Sequence, residues 1–450
     1  MNIRNKKLII AGLLFVFLAL VPVLLNAANS GVPTVGPVRV EFILFALTLI
    51  GVALFHKHTM YVSLSGLMMV VIFKLIFDPD IHLADHFLGG GGHEGEWRIL
   101  LNLMGLLFGF GILAKHFEES RVPDVLPKFL PDDWKGGLVL LFLIFILSGF
   151  LDNIAAAMIG GTIAMVVYKG KVHLGFLASI IAASNAGGAG SVLGDTTTTL
   201  MWIDGVSPVW VLPAYIAAFA SFLIFGVFGA LQQNKYQKIL KDPNKKARVD
   251  KLKIFVVALI LIGAILTNYF LDFPALGVWI AILIGALITK TPWHEIKSSW
   301  KGTVFLMALV TTASLMPVEE LPPASWQSAF ALGFISAVFD NIPLTKLCLD
   351  QGGYDWGILA YAVGFGGSMI WFGSSAGVAL SNMYPQTRNT VNYLKNGWYV
   401  ILAYIFGFFV LLGIAGWNPH APHKSDESQP EETGFILPED NESTVVLTLK

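Results

Sequence analysis

Residues 183–202 read ASNAGGAGSVLGDTTTTLMW, and the reading of this stretch decides the fold. It lies between apolar segments at membrane depth, yet it holds Asn185, Asp195, four consecutive threonines and four glycines. No plain lipid-facing helix has that composition. Gly187, Gly188, Gly190 and Gly194 supply conformational freedom. Thr196 to Thr199 are β-branched and carry hydroxyls that compete with helical hydrogen bonds. The expectation is a helix broken near its middle, over a broken segment that runs from residue 174 to 202. Unwound backbone in a bilayer persists only where protein or water satisfies its polar groups. Secondary transporters build binding sites this way, with half-helix ends and free carbonyls turned on the substrate. A kink lined by small residues would not call for Asp195, and an intramembrane carboxylate marks function by default.

The segment before it, residues 137–167, is apolar at both ends with Asp152-Asn153 at its middle. One straight helix of about 31 residues would measure about 46 Å, well beyond a hydrocarbon core of about 30 Å. Two arms meeting at a polar tip fit better. A re-entrant hairpin is therefore expected, its tip at residues 149–153 and Asp152 placed to cap the returning arm.

Both landmarks recur. In the second half, Phe339-Asp340-Asn341-Ile342 stands in a hairpin at 324–350 as Leu151-Asp152-Asn153-Ile154 stands in the first. In the segment 356–382, Gly366-Gly367, five residues and Gly373-Ser374 repeat Gly187-Gly188, five residues and Gly194-Asp195. Two landmarks in the same order argue for an internal repeat. Plain spans complete each half, at 39–55, 61–77, 99–116 and 210–231 in the first and at 254–271, 275–288, 303–316 and 398–417 in the second.

Between the halves, residues 234–253 carry eight basic and two acidic side chains, so this linker is expected on the cytoplasmic side. Residues 8–25 form an apolar run behind Arg4, Lys6 and Lys7, either a first helix or a signal peptide. The organisation expected is an N-terminal helix or signal peptide at 1–30, a first membrane repeat at 38–232, the linker at 233–253, a second repeat at 254–417 and a flexible acidic tail at 418–450. Counting spans from an inside N-terminus brings the first hairpin in from the cytoplasm and the second from outside. The two halves are then an inverted-topology pair, and the C-terminal tail lies outside.

Composition agrees with an all-α polytopic membrane protein. Of 450 residues 55% are hydrophobic and 13% charged, with a mean hydropathy of +0.69. A net charge of −1 lacks the basic footprint of nucleic-acid binding. The single Cys348 excludes an internal disulfide framework. His82, His86 and His93 in a glycine-rich loop are read as solvated rather than as metal ligands. No nucleophile–base pair or phosphate loop argues for an enzyme.

Taken together, Asp152-Asn153, Ser184-Asn185-Ala186-Gly187-Gly188, Gly194-Asp195-Thr196-Thr197-Thr198, Asp340-Asn341-Ile342-Pro343 and Gly373-Ser374-Ser375-Ala376-Gly377 resemble the signatures of NhaD-type sodium/proton antiporters of the ion transporter superfamily. The resemblance covers nearly the whole membrane region. It implies an inverted-repeat transporter in the inner (plasma) membrane, a homodimer with scaffold helices and a moving transport domain, and no cofactor beyond transported Na⁺ and H⁺. Carried over position by position, it implies that Asp152, Asn153, Asn185, Asp195, Thr197, Thr198, Asp340, Asn341, Ser374 and Ser375 form the functional polar set. Asp152, Asn153, Asn185 and Asp195 would be the sodium ligands. The same superfamily contains arsenite, citrate and dicarboxylate carriers, so the fold leaves the substrate open. The dicarboxylate branch resembles Ser-Asn-Thr at its hairpin tips, whereas this chain has Asp-Asn at both.

Chemistry weighs between these substrates. Sodium is a hard cation suited to carboxylate, amide, hydroxyl and backbone oxygens. Carboxylates left ionised and empty at membrane depth cost several kcal/mol each, so a proton or a metal ion must occupy them. An anion would be repelled. It would find Lys346 as its one nearby base, and that lysine is expected to pair with Asp340 or Asp350.

Overall fold

The computed structural model describes residues 33–36, 38–55, 58–78, 82–90, 93–240 and 248–421. The expected first helix or signal peptide, residues 241–247 of the linker and nearly all of the acidic tail lie outside the described residues. Among the described residues the regular structure is helical apart from two antiparallel ladders of two residues a side, Thr34–Val35 with Val38–Arg39 and Gly89–Gly90 with His93–Glu94.

In the first half, α1 is Val40–Leu54, α2 Thr59–Phe77 and α3 Trp97–Glu119. They are followed by α4 (Trp134–Ser148), α5 (Asn153–Val167), α6 (Leu174–Ala189), α7 (Thr196–Ile203) and α8 (Ala214–Tyr236). In the second half, α9 is Lys251–Leu271, α10 Pro274–Ile288 and α11 His294–Ser314. The chain continues with α12 (Trp326–Ser336), α13 (Asn341–Gln351), α14 (Trp356–Gly366), α15 (Ser375–Met383), α16 (Thr390–Gly397) and α17 (Tyr399–Ala415).

Among the described residues, four helical stretches are long and apolar enough to cross a membrane: Thr59–Phe77, Trp97–Val125, Pro208–Tyr236 and Lys251–Leu271. The α16–α17 pair, bent by 57°, makes a fifth if taken as one span. By contrast α4 and α5 have 15 residues each. At about 22 Å each is shorter than a hydrocarbon core, as are α1 and α10, and what sets α4 and α5 apart is the polar turn that joins them. The segment 137–167 is thus two helices with a turn between them, and 324–350 divides in the same way at residues 337–340.

Local chemistry sets these boundaries. Asp133 accepts from the Lys135 amide at 3.0 Å to open α4, Asp250 from Leu252 at 3.0 Å to open α9, and Asp355 from Ile358 at 3.0 Å to open α14. Pro274 sits at the first turn of α10, where its missing N–H costs nothing. Gly352, at φ +70°, ends α13 in a conformation other residues adopt poorly.

Packing sorts the helices into two groups. In one, α2 packs on α1 and α11, α3 on α10 and α11, and α9 on α10. In the other, α6 packs on α4, α5, α8 and α14, while α8 also touches α4, α14 and α17. The groups meet where α13 lies on α11 and α7 on α3. Helix α14 is buried along its whole length, and α6 is buried from Gly175 to Ala189.

Candidate functional site

The helix through residues 183–202 is broken as expected. Helix α6 ends at Ala189, residues 190–195 turn, and α7 starts at Thr196. Threonines hold the break together. Thr198 Oγ1 donates to the Ser191 carbonyl at 2.6 Å and the Asp195 carbonyl at 3.0 Å. Thr199 Oγ1 donates to the Val192 carbonyl at 2.8 Å and the Asp195 carbonyl at 2.8 Å. Thr199 thus gives the Val192 carbonyl its donor, and Thr198 adds to the Gly194 amide at the Ser191 carbonyl.

Asp195 is the N-cap of α7 and fully buried. Its Oδ1 accepts from Asn153 Nδ2 at 3.0 Å, Thr196 Oγ1 at 3.3 Å and the Thr197 amide at 3.4 Å. Its Oδ2 accepts from Asn341 Nδ2 at 3.4 Å. Asn153 and Asn341 are the first residues of α5 and α13, so both tips reach one carboxylate. The network continues from Asn153 Nδ2 to Asn185 Oδ1 at 3.1 Å and from Asn185 Nδ2 to Ser368 Oγ at 2.9 Å. It thereby passes from one broken segment into the other.

Around this carboxylate, acceptors are left over. Asp152 Oδ1, Asn153 Oδ1 and Thr197 Oγ1 are buried and receive no hydrogen bond. An orphaned buried polar atom costs about 1–3 kcal/mol unless something pairs with it. Carboxylate, amide and hydroxyl oxygens are the donor set a hard cation requires.

The second tip is built differently. Asp340 caps α13 through the Ile342 amide at 3.1 Å and accepts from Ser375 Oγ at 3.4 Å. Ser374 caps α15 by accepting from the Gly377 amide at 3.3 Å. Of the ten residues expected in the functional set, Asn153, Asn185, Asp195 and Asn341 form one hydrogen-bonded network, and Asp340 pairs with Ser375. Asp152 and Thr197 contribute free oxygens, whereas the Thr198 and Ser374 hydroxyls are committed to backbone.

One expectation needs correction, and one pairing is resolved. Asp152 occupies the N-cap position of α5 but its side chain makes no capping bond, which leaves Oδ1 free. Of the two partners expected for Lys346, it pairs with Asp350, at 2.7 Å, and it also pairs with Glu96, at 2.9 Å, just before α3. Asp350 lies at i+4 on the same helix face, whereas Asp340, six residues earlier, projects elsewhere. The sequence reading missed Ser368, Thr196 and Glu96. Thr196 was visible as a neighbour of Asp195, but Ser368 and Glu96 lie 183 and 250 residues from their partners.

Matching contacts recur in the two halves. Ser148 Oγ donates to the Ser184 carbonyl, and Ser336 Oγ donates to the Val363 carbonyl at 2.7 Å. A Cβ on Gly187 would strike the Phe145 carbonyl and one on Gly366 the Gly333 carbonyl. Gly188 and Gly367 face the carbonyls of Gly194 and Gly373 in the same way.

No family model matches the chain. It is similar to proteins named as Na⁺/H⁺ antiporters, including the NhaD type. It is 25% identical over 335 residues to sodium/proton antiporter 1 of Arabidopsis thaliana, covering 64% of this chain and 56% of that one. The Na⁺/H⁺ antiporter NhaD of Alkalimonas amylolytica is 25% identical over 326 residues, covering 60% of this chain and 68% of its own. That of Vibrio cholerae is 24% identical over 355 residues, covering 64% and 73%. The chain thus spans little more than half the plant relative and about two thirds to three quarters of the bacterial ones.

Proposed function

We propose that this chain exchanges Na⁺ for H⁺ across a membrane by alternating access, with Asp195 as the group for which the two ions compete. The observation that carries the reading is the Asp195 carboxylate, buried at the break between α6 and α7 and held by an asparagine from each helix tip. Free oxygens of Asp152, Asn153 and Thr197 accompany it. Asp195, Asp152, Asn153 and Asn185 would hold the dehydrated Na⁺. Asp340, Asn341 and Ser375 would line the second tip, and Thr198 and Ser374 would shape the breaks. A proton on Asp195 neutralises the site when Na⁺ leaves, so the carboxylate is never carried empty and charged through the membrane. This competition at one group, joined to access from alternate sides, is sufficient for antiport and needs no cofactor.

The same reading makes residues 38–232 and 254–417 inverted repeats with re-entrant hairpins at α4–α5 and α12–α13. The paired serine and glycine contacts of the two halves support it. The group containing α1–α3 and α9–α11 would be the scaffold, and the group containing the tips and broken helices the moving part. We place the chain in the inner (plasma) membrane as a homodimer, its basic linker inside and its acidic tail outside. An organic anion is disfavoured: it would meet Asp152, Asp195 and Asp340, and the nearby lysine, Lys346, is already paired with Glu96 and Asp350.

The test is purified protein in sealed vesicles with an internal pH reporter, to which NaCl, LiCl, KCl, citrate and arsenite are added in turn. Proton movement on adding Na⁺ is the expected result. A response to citrate or arsenite without one to Na⁺ would overturn the reading.

A further inference from the structure

Most glycines at the two breaks face backbone. A Cβ on Gly187, Gly188 or Gly194 would strike the carbonyls of Phe145, Gly194 and Ser148. One on Gly366, Gly367, Gly373 or Gly377 would strike those of Gly333, Gly373, Ala337 and Trp371. These glycines let backbone approach backbone. Gly364 differs. It lies inside α14 with no positive φ, so its backbone geometry makes no demand for glycine. Among the described residues, its added Cβ would have two neighbours within 4 Å, Asp195 Oδ2 at 3.1 Å and Ala189 Cβ at 3.9 Å. A glycine inside a helix costs about 1 kcal/mol relative to alanine. What offsets that cost here is clearance beside one carboxylate oxygen.

We propose that Gly364 sets the size of the cation that Asp195 accepts. This deepens the Na⁺/H⁺ reading and rests on it. Oδ1 is crowded by three donors, whereas Oδ2 accepts one long bond from Asn341, so Oδ2 is the oxygen with coordination to spare. Gly364 borders that oxygen. Counted from the paired glycines, it stands where Asn185 stands in the first half, so the repeat places an amide at one position and no side chain at its counterpart. The carboxylate cannot swing away freely, because Asn153, Thr196, Thr197 and Asn341 hold it. Selectivity among hard cations follows site size, ligand number and rigidity, and a methyl at residue 364 reduces the size without removing a ligand.

The test compares wild type, Gly364→Ala and Ala189→Gly in sealed vesicles, with the apparent affinities for LiCl and NaCl read from proton movement. Gly364→Ala should raise the Li⁺/Na⁺ affinity ratio about tenfold, the scale on which one added methyl alters discrimination in a close-fitting site. Ala189→Gly, which removes the other atom that a Cβ at residue 364 would meet, should lower the ratio. Equal losses for both ions, or a ratio unmoved in correctly folded Gly364→Ala, would overturn the assignment. Should that variant fail to fold, the direction of the ratio in Ala189→Gly decides. Wild type that moves no protons with either ion rejects the antiport reading itself, whereas active wild type with an unmoved ratio rejects only the role of Gly364.

Discussion

At the scale of single residues, the four threonines that looked alike in sequence have separate tasks. Thr198 and Thr199 spend their hydroxyl protons on carbonyls of the break, while Thr197 Oγ1 is buried and unbonded. Thr198→Val should therefore destabilise the fold by about 1 kcal/mol, because it removes the hydroxyl's bond to the Ser191 carbonyl, which keeps the Gly194 amide as a donor. Thr197→Val should leave thermal stability in detergent nearly unchanged and weaken apparent Na⁺ affinity. The reverse pattern would remove Thr197 from the site. Asp195→Asn retains size, one acceptor oxygen and good N-cap chemistry, turns the acceptor that faces Asn341 Nδ2 into a donor, and removes the exchangeable charge. Na⁺-dependent proton movement should vanish at every pH tested. Robust exchange by a correctly inserted Asp195→Asn protein would shift the coupling to Asp152 or Asp340. The importance of Asp195 was legible because a carboxylate in a glycine- and threonine-rich apolar stretch is costly to bury and adds nothing to packing. Gly364 was hidden, since only the crossing of two segments shows what its missing side chain faces.

At the scale of elements, length arithmetic divided 137–167 into paired helices, because a hydrocarbon core sets an absolute ruler, and the recurrence of Asp-Asn extended the division to 324–350. Capping was less readable. Asp152 and Asp340 occupy equivalent positions, yet only Asp340 bonds the backbone ahead of it. Contacts across the fold were not readable at all, and Lys346 illustrates why. Its i+4 partner Asp350 follows from helix geometry, but Glu96 comes from the other packing group. Lys346 is 1% exposed, so its removal leaves two carboxylates without their cation. Lys346→Met should destabilise by about 3–5 kcal/mol. Adding Glu96→Gln should restore part of that loss, because the second change removes one of the stranded charges. Thermal unfolding of both proteins in detergent measures the difference. Equal stability of the single and double variants would show that Glu96 is solvated and that the pair does not join α13 to the start of α3.

At the scale of the whole molecule, the inverted-repeat reading reduces to a parity that labelling can count. From Arg248, ahead of α9, to Ala421, the chain contains α9, α10, α11, the pair α12–α13, the broken segment α14–α15 and the bent pair α16–α17. If α12–α13 turns back, the crossings number three, then one, then one, and the odd total puts Arg248 and Ala421 on opposite sides. If α12–α13 crosses, the total is even and both share a side. The lengths favour turning back, since α12 and α13 have 11 residues each and Asp340-Asn341 between them is joined to the buried Asp195. An arm of about 16 Å reaches roughly half-way through a core of about 30 Å. Both test positions are exposed. Cys348 is buried, and Cys348→Ser gives a background for single cysteines. In intact cells, a membrane-impermeant maleimide should label Ala421→Cys at once and Arg248→Cys only after the membrane is opened. Labelling of both from the same side would rule out the turned-back α12–α13 pair and, with it, the approach of the two tips from opposite faces.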